Sequence, residues 1–286
     1  MKLFDGHIHA GVHTKTSEII SFLDRIGGDY GLVLAADHGK WDLDNPQAYC
    51  SDEAVIRLVN EGGGRLYGLS SVSPYSEGGA GQKAERAFAK GLKGLKIYPH
   101  GGFFPNNRRL YDAYELAQSK GYPVFIHTGM KAQRTQRMIY NNPIYIDDIA
   151  VDFPHLKIVI MHAGYPWIEE TLVLSHLNEN VMVDLTFLDV LSYTYGRDLL
   201  SEVTKRFCKV LGSEKVIWGS EGEYLGLDAF RDDGIVRVQN CLAEIRGFNF
   251  ISEKDKENIL YQNAFNLLEK STGKPVGRGS NECIQY

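Results

Sequence analysis

The chain has 286 residues, a formal net charge of -5, 43% hydrophobic and 23% charged residues. This is enough chain for one large domain, and α/β barrels commonly use about 250 residues as a single unit. The mild, dispersed charge gives no basic run for nucleic acid, and the apolar runs are far short of the roughly 18 residues of a membrane helix, so neither partner is expected.

In chain order, one pattern recurs: a short β-rich apolar run, a loop, then a helical stretch. The strands are predicted over Leu3–His9, Tyr30–Asp37, Arg65–Pro74, Leu92–Pro99, Pro123–Gly129, Lys157–Gly164, Asn180–Phe187 and Lys215–Glu221. Near-continuous runs such as Ile158-Val159-Ile160-Met161 suit strands covered on both faces. Helices are predicted over Ser17–Ile26, Leu110–Lys120 and Leu199–Leu211, with Gly27, Gly121 and Gly212 as stop signals. Leu227–Arg246 should supply the helix after the eighth strand and Glu253–Lys270 one more. The domain reading is therefore a barrel over 1–270 and a polar, Gly-rich tail over 271–286.

Eight strands alternating with helices leave a closed (β/α)8 TIM barrel or a doubly wound open sheet. No GxGxxG turn follows the first strand. Chemistry-bearing residues end strands one, four, five, six and eight. An open sheet gathers its site at one switch point, whereas a barrel brings every strand end to one mouth. The expectation is a single-domain α/β barrel.

Asp5-Gly6-His7-Ile8-His9 is the strongest local signal. On a regular strand, residues two apart share a face, so Asp5, His7 and His9 should project together. Two imidazoles in register can occupy neighbouring positions on one zinc-type ion. His127 ends the fifth strand in PVFIHTG and His162 the sixth in IVIMHAG. One such histidine would ordinarily be a hydrogen-bonded core residue. Four at three strand ends would need many buried partners, which favours a metal. The cysteines Cys50, Cys208, Cys241 and Cys283 form no CxxC pair and read as reduced thiols. The N-terminus lacks the apolar core of a signal peptide, and a cytoplasmic protein is expected.

DGHIH at the first strand, HTG at the fifth, HAG at the sixth and Gly219-Ser220-Glu221 at the eighth resemble the amidohydrolase superfamily, in particular its amidohydrolase-related branch of hydrolases, lactonases and non-oxidative decarboxylases. The closing Gln262-Asn263-Ala264-Phe265-Asn266-Leu267-Leu268 is similar to the xNAxxLF-type ending of that branch. The resemblance implies a divalent metal, most simply one Zn2+ and at most two, on His7, His9 and His127. His162 would be a second-metal ligand or a catalytic histidine. Glu221 stands where the family usually has aspartate, as ligand and general base; the longer side chain moves the carboxylate by about 1.5 Å. Lys96 lies in a KxYP context that is carboxylated in binuclear members, and is expected here to be unmodified.

Tyr98, His100, Arg134, Tyr165 and Glu223 are substrate-binding candidates at the mouth, with Asp37 and His38 beside them; for each one singly, a solvated loop residue is the alternative. Arg134 has the fork geometry to clamp a carboxylate. The function that follows is hydrolysis of a small ester, lactone or amide. Non-oxidative decarboxylation of a small carboxylic acid is the alternative, and a metal-binding homologue without turnover is the third. The partner is a small-molecule substrate, and a homo-oligomer is allowed.

Overall fold

The computed structural model describes residues 1–36, 50–131, 134–224, 227–228 and 230–269, with the backbone alone at 223–224 and 227–228. Asp37, His38, the tail over 271–286 and the side chain of Glu223 lie outside what is described. All eight predicted strands are present: β1 (Phe4–His9), β2 (Tyr30–Leu34), β3 (Leu66–Ser71), β4 (Leu95–Ile97), β5 (Val124–Ile126), β6 (Ile158–Ile160), β7 (Val181–Asp184) and β8 (Val216–Ile217). The helices between them are α1 (Thr16–Ile26), α2 (Asp52–Glu61), α3 (Ala80–Ala89), α4 (Tyr111–Lys120), α5 (Ile146–Asp152), α6 (Ile168–Leu177), α7 (Leu188–Tyr195) and α8 (Leu199–Leu211). The helical period explains their packing: α1 buries Ile19, Phe22, Leu23 and Ile26. Gly27 and Gly121 then end α1 and α4 in the left-handed region, at φ 74° and 68°.

β1 to β8 pair in chain order, each parallel to the next. The strand after β7 is longer than predicted and comes in two pieces. β8 pairs with β7, and β9 (Glu221–Tyr224) pairs with β1. Between them the Gly6 N–H donates to the Trp218 carbonyl at 3.0 Å. The two ends of the sheet are thus consecutive chain, and the ring closes as a (β/α)8 barrel. A short β10 (Leu227–Asp228) then folds back antiparallel on β9. The helix after the eighth strand, α9, is consequently Asp232–Gly247 and starts later than the sequence suggested. Among the described residues no helix is long and apolar enough to cross a membrane.

Two cores result. The larger lies between the sheet and the helices. The smaller fills the barrel, from Phe4, Leu32, Leu34, Leu69, Phe125, Val159, Met161 and Ile217. Its floor is the C-terminal helical run of α10 (Glu253–Glu257), a π-helical turn (Asn258–Gln262) and α11 (Asn263–Glu269), which contributes Tyr261, Ala264, Leu267 and Leu268. The NAxxLL motif is explained by this contact. Its leucines enter the barrel, and Asn263 Nδ2 donates to the carbonyls of Ser213 and Val216, each at 2.7 Å.

Asn263→Ala removes both donations at the base of β8. We expect it to lower unfolding free energy by about 1–3 kcal/mol, the cost of unsatisfied buried groups. Urea denaturation of the two proteins checks this, and an unchanged midpoint would show that the floor does not depend on the anchor.

Candidate metal centre

β1 carries the first pair of histidines inward by breaking its own alternation. Phe4 packs inside the barrel, and so do His7 and His9, although Phe4 and His7 are an odd number apart. The register with β2 shifts between Asp5 and Ile8, as a β-bulge does, and this changes the parity. Asp5 therefore does not share the imidazole face, contrary to the expectation from a regular strand. Its Oδ1 accepts instead from the N–H groups of His7 (3.2 Å) and Ser220 (2.9 Å). Gly6 is required at the bulge, since a Cβ there would lie 2.8 Å from the Trp218 carbonyl.

The other groups arrive just past their strands rather than within them. His127 follows β5, and His162 sits in a turn over Met161–Gly164 with φ 57°. Ending the ladder early frees the backbone to turn each ring towards the mouth. Glu221 opens β9 at φ 75°. Among the described residues, the non-glycine positions with positive φ are His162, Ala163, Phe187 and Glu221, all after β6, β7 or β8. Backbone of this kind costs on the order of 1–3 kcal/mol each and is held where surrounding structure imposes it.

These residues converge. His7 Nε2 lies 3.1 Å from His9 Nε2 and 3.5 Å from Glu221 Oε2; His9 Nε2 lies 3.8 Å from Glu221 Oε1, and His162 Nδ1 3.9 Å from Glu221 Oε2. The potential ligand atoms of His7, His162 and Glu221 all fall within 4.8 Å of one another, and all three residues are buried. Two nitrogens each about 2.05 Å from one tetrahedral ion would be about 3.3 Å apart, close to the His7–His9 spacing. Glu221 Oε2 is buried and has no hydrogen-bond partner. A buried carboxylate oxygen facing imidazole nitrogens, with nothing donating to it, fits a cation between them.

Asp184, at the end of β7, was not singled out from the sequence. It is fully buried, and its Oδ2 accepts from His7 Nδ1 at 2.8 Å. Its Oδ1 accepts from the backbone N–H of His162 (2.9 Å) and of Thr186 (3.0 Å). With Nδ1–H committed to Asp184, His7 presents the lone pair of Nε2 to the cluster, the arrangement that orients a metal-binding histidine. The run Val181-Met182-Val183-Asp184 did carry a signal, an acid ending a strand as the histidines end theirs.

His127 lies beside this group. Its ring centroid is 5.0 Å from that of His162 and 4.7 Å from that of His100, and its Nε2 meets the Met130 carbonyl at 2.8 Å. It is not part of the group formed by the ligand atoms of His7, His162 and Glu221. Lys96 is fully buried on β4, with Nζ 4.6 Å from the Tyr98 ring centre and in contact with Met161 Sδ. Tyr98 donates to the Ala35 carbonyl at 3.2 Å, and His100 is buried in the turn Pro99–Gly101. Tyr165 is half-buried with its ring 5.8 Å from Tyr195, and Arg134 is exposed in the loop after β5.

Burial dominates the electrostatics. It lowers the histidines His7, His127 and His162, with Lys96 adding to the effect, so these rings stay neutral and keep lone pairs for a cation. Burial also pushes Glu221 well above the usual carboxylate range, helped by Asp184, and raises Asp184 itself. Asp5 rises to about 6, and Lys96 falls to about 7 despite Asp184 and Glu221, both shifts caused by burial.

The family model described as Amidohydrolase matches residues 18–270. Among curated proteins, Protein fluG of Emericella nidulans is 22% identical over 102 residues, 36% of this chain and only 11% of its own length. Solved structures that share the fold include the following two. One is described as a probable 2-pyrone-4,6-dicarboxylic acid hydrolase from Acinetobacter baumannii with citric acid bound: 17% identity, TM-score 0.64, covering 94% of this chain and 99% of that one. The other is 5-carboxyvanillate decarboxylase from Sphingomonas paucimobilis: 18% identity, TM-score 0.63, covering 89% and 83%.

The geometry gives two expectations. His7→Ala should abolish tight metal binding in a folded barrel, and Asp184→Asn should weaken it about 10- to 100-fold by loosening His7. Zn2+ titration by calorimetry checks both, and wild-type affinity in either variant overturns the assignment. The purified protein should also carry one equivalent of metal with Lys96 unmodified, because its amine packs on Met161 and Tyr98. Elemental analysis giving two equivalents, or an intact-mass gain of one carboxyl group, would contradict this.

Proposed function

The chain belongs to the amidohydrolase family, and on that footing we propose that it is a metal-dependent hydrolase acting on the carbonyl of a small ester, lactone or amide. The observation that carries the reading is the Glu221 carboxylate. It is buried at the mouth, it leaves Oε2 without a hydrogen bond, and it lies within 3.9 Å of nitrogens on His7, His9 and His162. His7, His9 and Glu221 would hold a divalent cation, for which we propose zinc, with His127 and His162 adjoining. When bound, such a cation polarises a carbonyl and acidifies water.

The chain's own groups do the rest. Glu221 takes the proton of the attacking water and returns it to the leaving group. Burial raises its pKa above the usual carboxylate range, the direction that favours holding the proton between the two transfers. His162 faces the same space and stabilises charge developing on the carbonyl oxygen. Asp184 keeps His7 in one tautomer and one orientation, so the charge around the reacting atoms stays fixed through the cycle. Arg134, on the exposed loop, pairs with a substrate carboxylate. A carboxylated substrate accords with the names of the two neighbours, a pyrone dicarboxylic acid hydrolase and a carboxyvanillate decarboxylase.

Non-oxidative decarboxylation is the second reading, favoured by the nearly equal fold likeness to the decarboxylase. Incubation with panels of esters, lactones, amides and aromatic acids separates the two, since one releases acid or alcohol and the other CO2. On a substrate so found, Glu221→Gln should lower kcat about 100- to 10,000-fold with substrate binding largely kept, because the amide holds the shape but cannot pass a proton. A near-normal kcat in that variant would remove Glu221 from the shuttle role.

A further inference from the structure

Glu221 reaches the site from a backbone conformation that a glutamate seldom adopts, so something must hold it there. Its Oε2 does not, since that oxygen lacks a hydrogen-bond partner. The neighbouring peptide does. The Ser220 N–H donates to Asp5 Oδ1 at 2.9 Å, its hydroxyl oxygen accepts from the Gly222 N–H at 3.0 Å, and its carbonyl accepts from Arg237 Nη2 at 2.6 Å. Two of these contacts come from the strand and the turn itself. The third comes from α9, outside the barrel wall.

Arg237 is in turn fixed. Its Nη1 pairs with Asp189 of α7 at 2.6 Å, and both side chains are mostly buried, 22% and 15% exposed. The guanidinium fork therefore bridges a carboxylate on the helix after β7 and a backbone carbonyl at the tip of β8, donating one N–H to each. A planar fork with two separate donors is what this bridge requires; a lysine ammonium has to choose or compromise. Gly219 and Gly222 close the remaining freedom. A Cβ on either would lie 2.3 Å from His7 Cβ or 2.5 Å from the His9 carbonyl.

We infer that Arg237 is a positioning residue that sets the Ser220–Glu221 backbone from behind the barrel and so aims Glu221 at His7, His9 and His162. Its consequence for metal binding rests on the reading given above; its consequence for the backbone does not. Arg237→Met keeps the aliphatic stem and removes both donors, and Arg237→Lys restores charge and one donor.

Two measurements on wild type and both variants separate the possibilities. The first is amide hydrogen exchange over residues 218–224 in metal-free protein. The second is Co2+ titration followed by its visible d–d bands, which report ligand geometry. In Arg237→Met we expect exchange in that segment to rise at least about tenfold while the rest of the barrel is unchanged. Co2+ affinity should fall about 10- to 100-fold with altered bands, and Arg237→Lys, which supplies one arm of the bridge, should fall between Arg237→Met and wild type in both. Wild-type exchange in this segment in Arg237→Met overturns the role. So does faster exchange that leaves Co2+ affinity and bands as in wild type. If wild-type protein binds no Co2+, the metal reading fails, and the exchange comparison alone decides for or against Arg237. Should Arg237→Met not fold, Arg237→Lys and Asp189→Asn each weaken one arm of the bridge; exchange in 218–224 should rise in both, and no change in either overturns the inference.

Discussion

The barrel's closing seam governs the rest of the molecule. β8 and β9 meet β1 so closely that no side chain fits at Gly6 or Gly219, and the Gly6 N–H reaches the Trp218 carbonyl at 3.0 Å. Seam closure forces the bulge in β1, and the bulge turns His7 and His9 inward above Phe4. The same contact bends the eighth strand at Glu221, so that its carboxylate meets the imidazoles. Ring closure and the placement of three candidate ligands, His7, His9 and Glu221, are one geometric event.

Electrostatically the centre is built against its own charge. Asp5, Asp184 and Glu221 are buried close together, with Lys96 inside and Arg237 behind as their nearby cations. Burial makes each acid reluctant to ionise and keeps the imidazoles neutral. A divalent cation relieves both conditions, because it stabilises the carboxylates and uses the free nitrogen lone pairs. Removing it should leave a folded protein whose mouth is electrostatically frustrated, since the hydrogen bonds that shape it run through backbone and Asp184.

Much of this was legible in the residue order. The apolar runs gave eight strands because parallel strands buried on both faces read as continuous hydrophobic stretches. Histidines at strand ends stood out because they have little structural reason to be there. The division of the eighth strand, the bulge in β1 and the short β10 were not legible, since each depends on how closely distant strands approach. Asp184 was visible but looked like any residue ending a strand. Arg237 and Asp189 were hidden more thoroughly, as charged residues on helices that ordinarily face solvent. The expectation of an unbroken face on Asp5, His7 and His9 failed because period-two reasoning assumes a regular ladder.

The floor of the barrel has a further implication. Phe4 and Leu32 share their interior cluster with Ala264, Leu267 and Leu268, some 230 residues further along the chain than Leu32. Until that helix is in place, the inner core is open to water from below. Strand pairing by itself therefore leaves hydrophobic surface exposed on the underside of the barrel. Sealing the inner core is a long-range step in folding, separate from the local pairing of neighbouring strands.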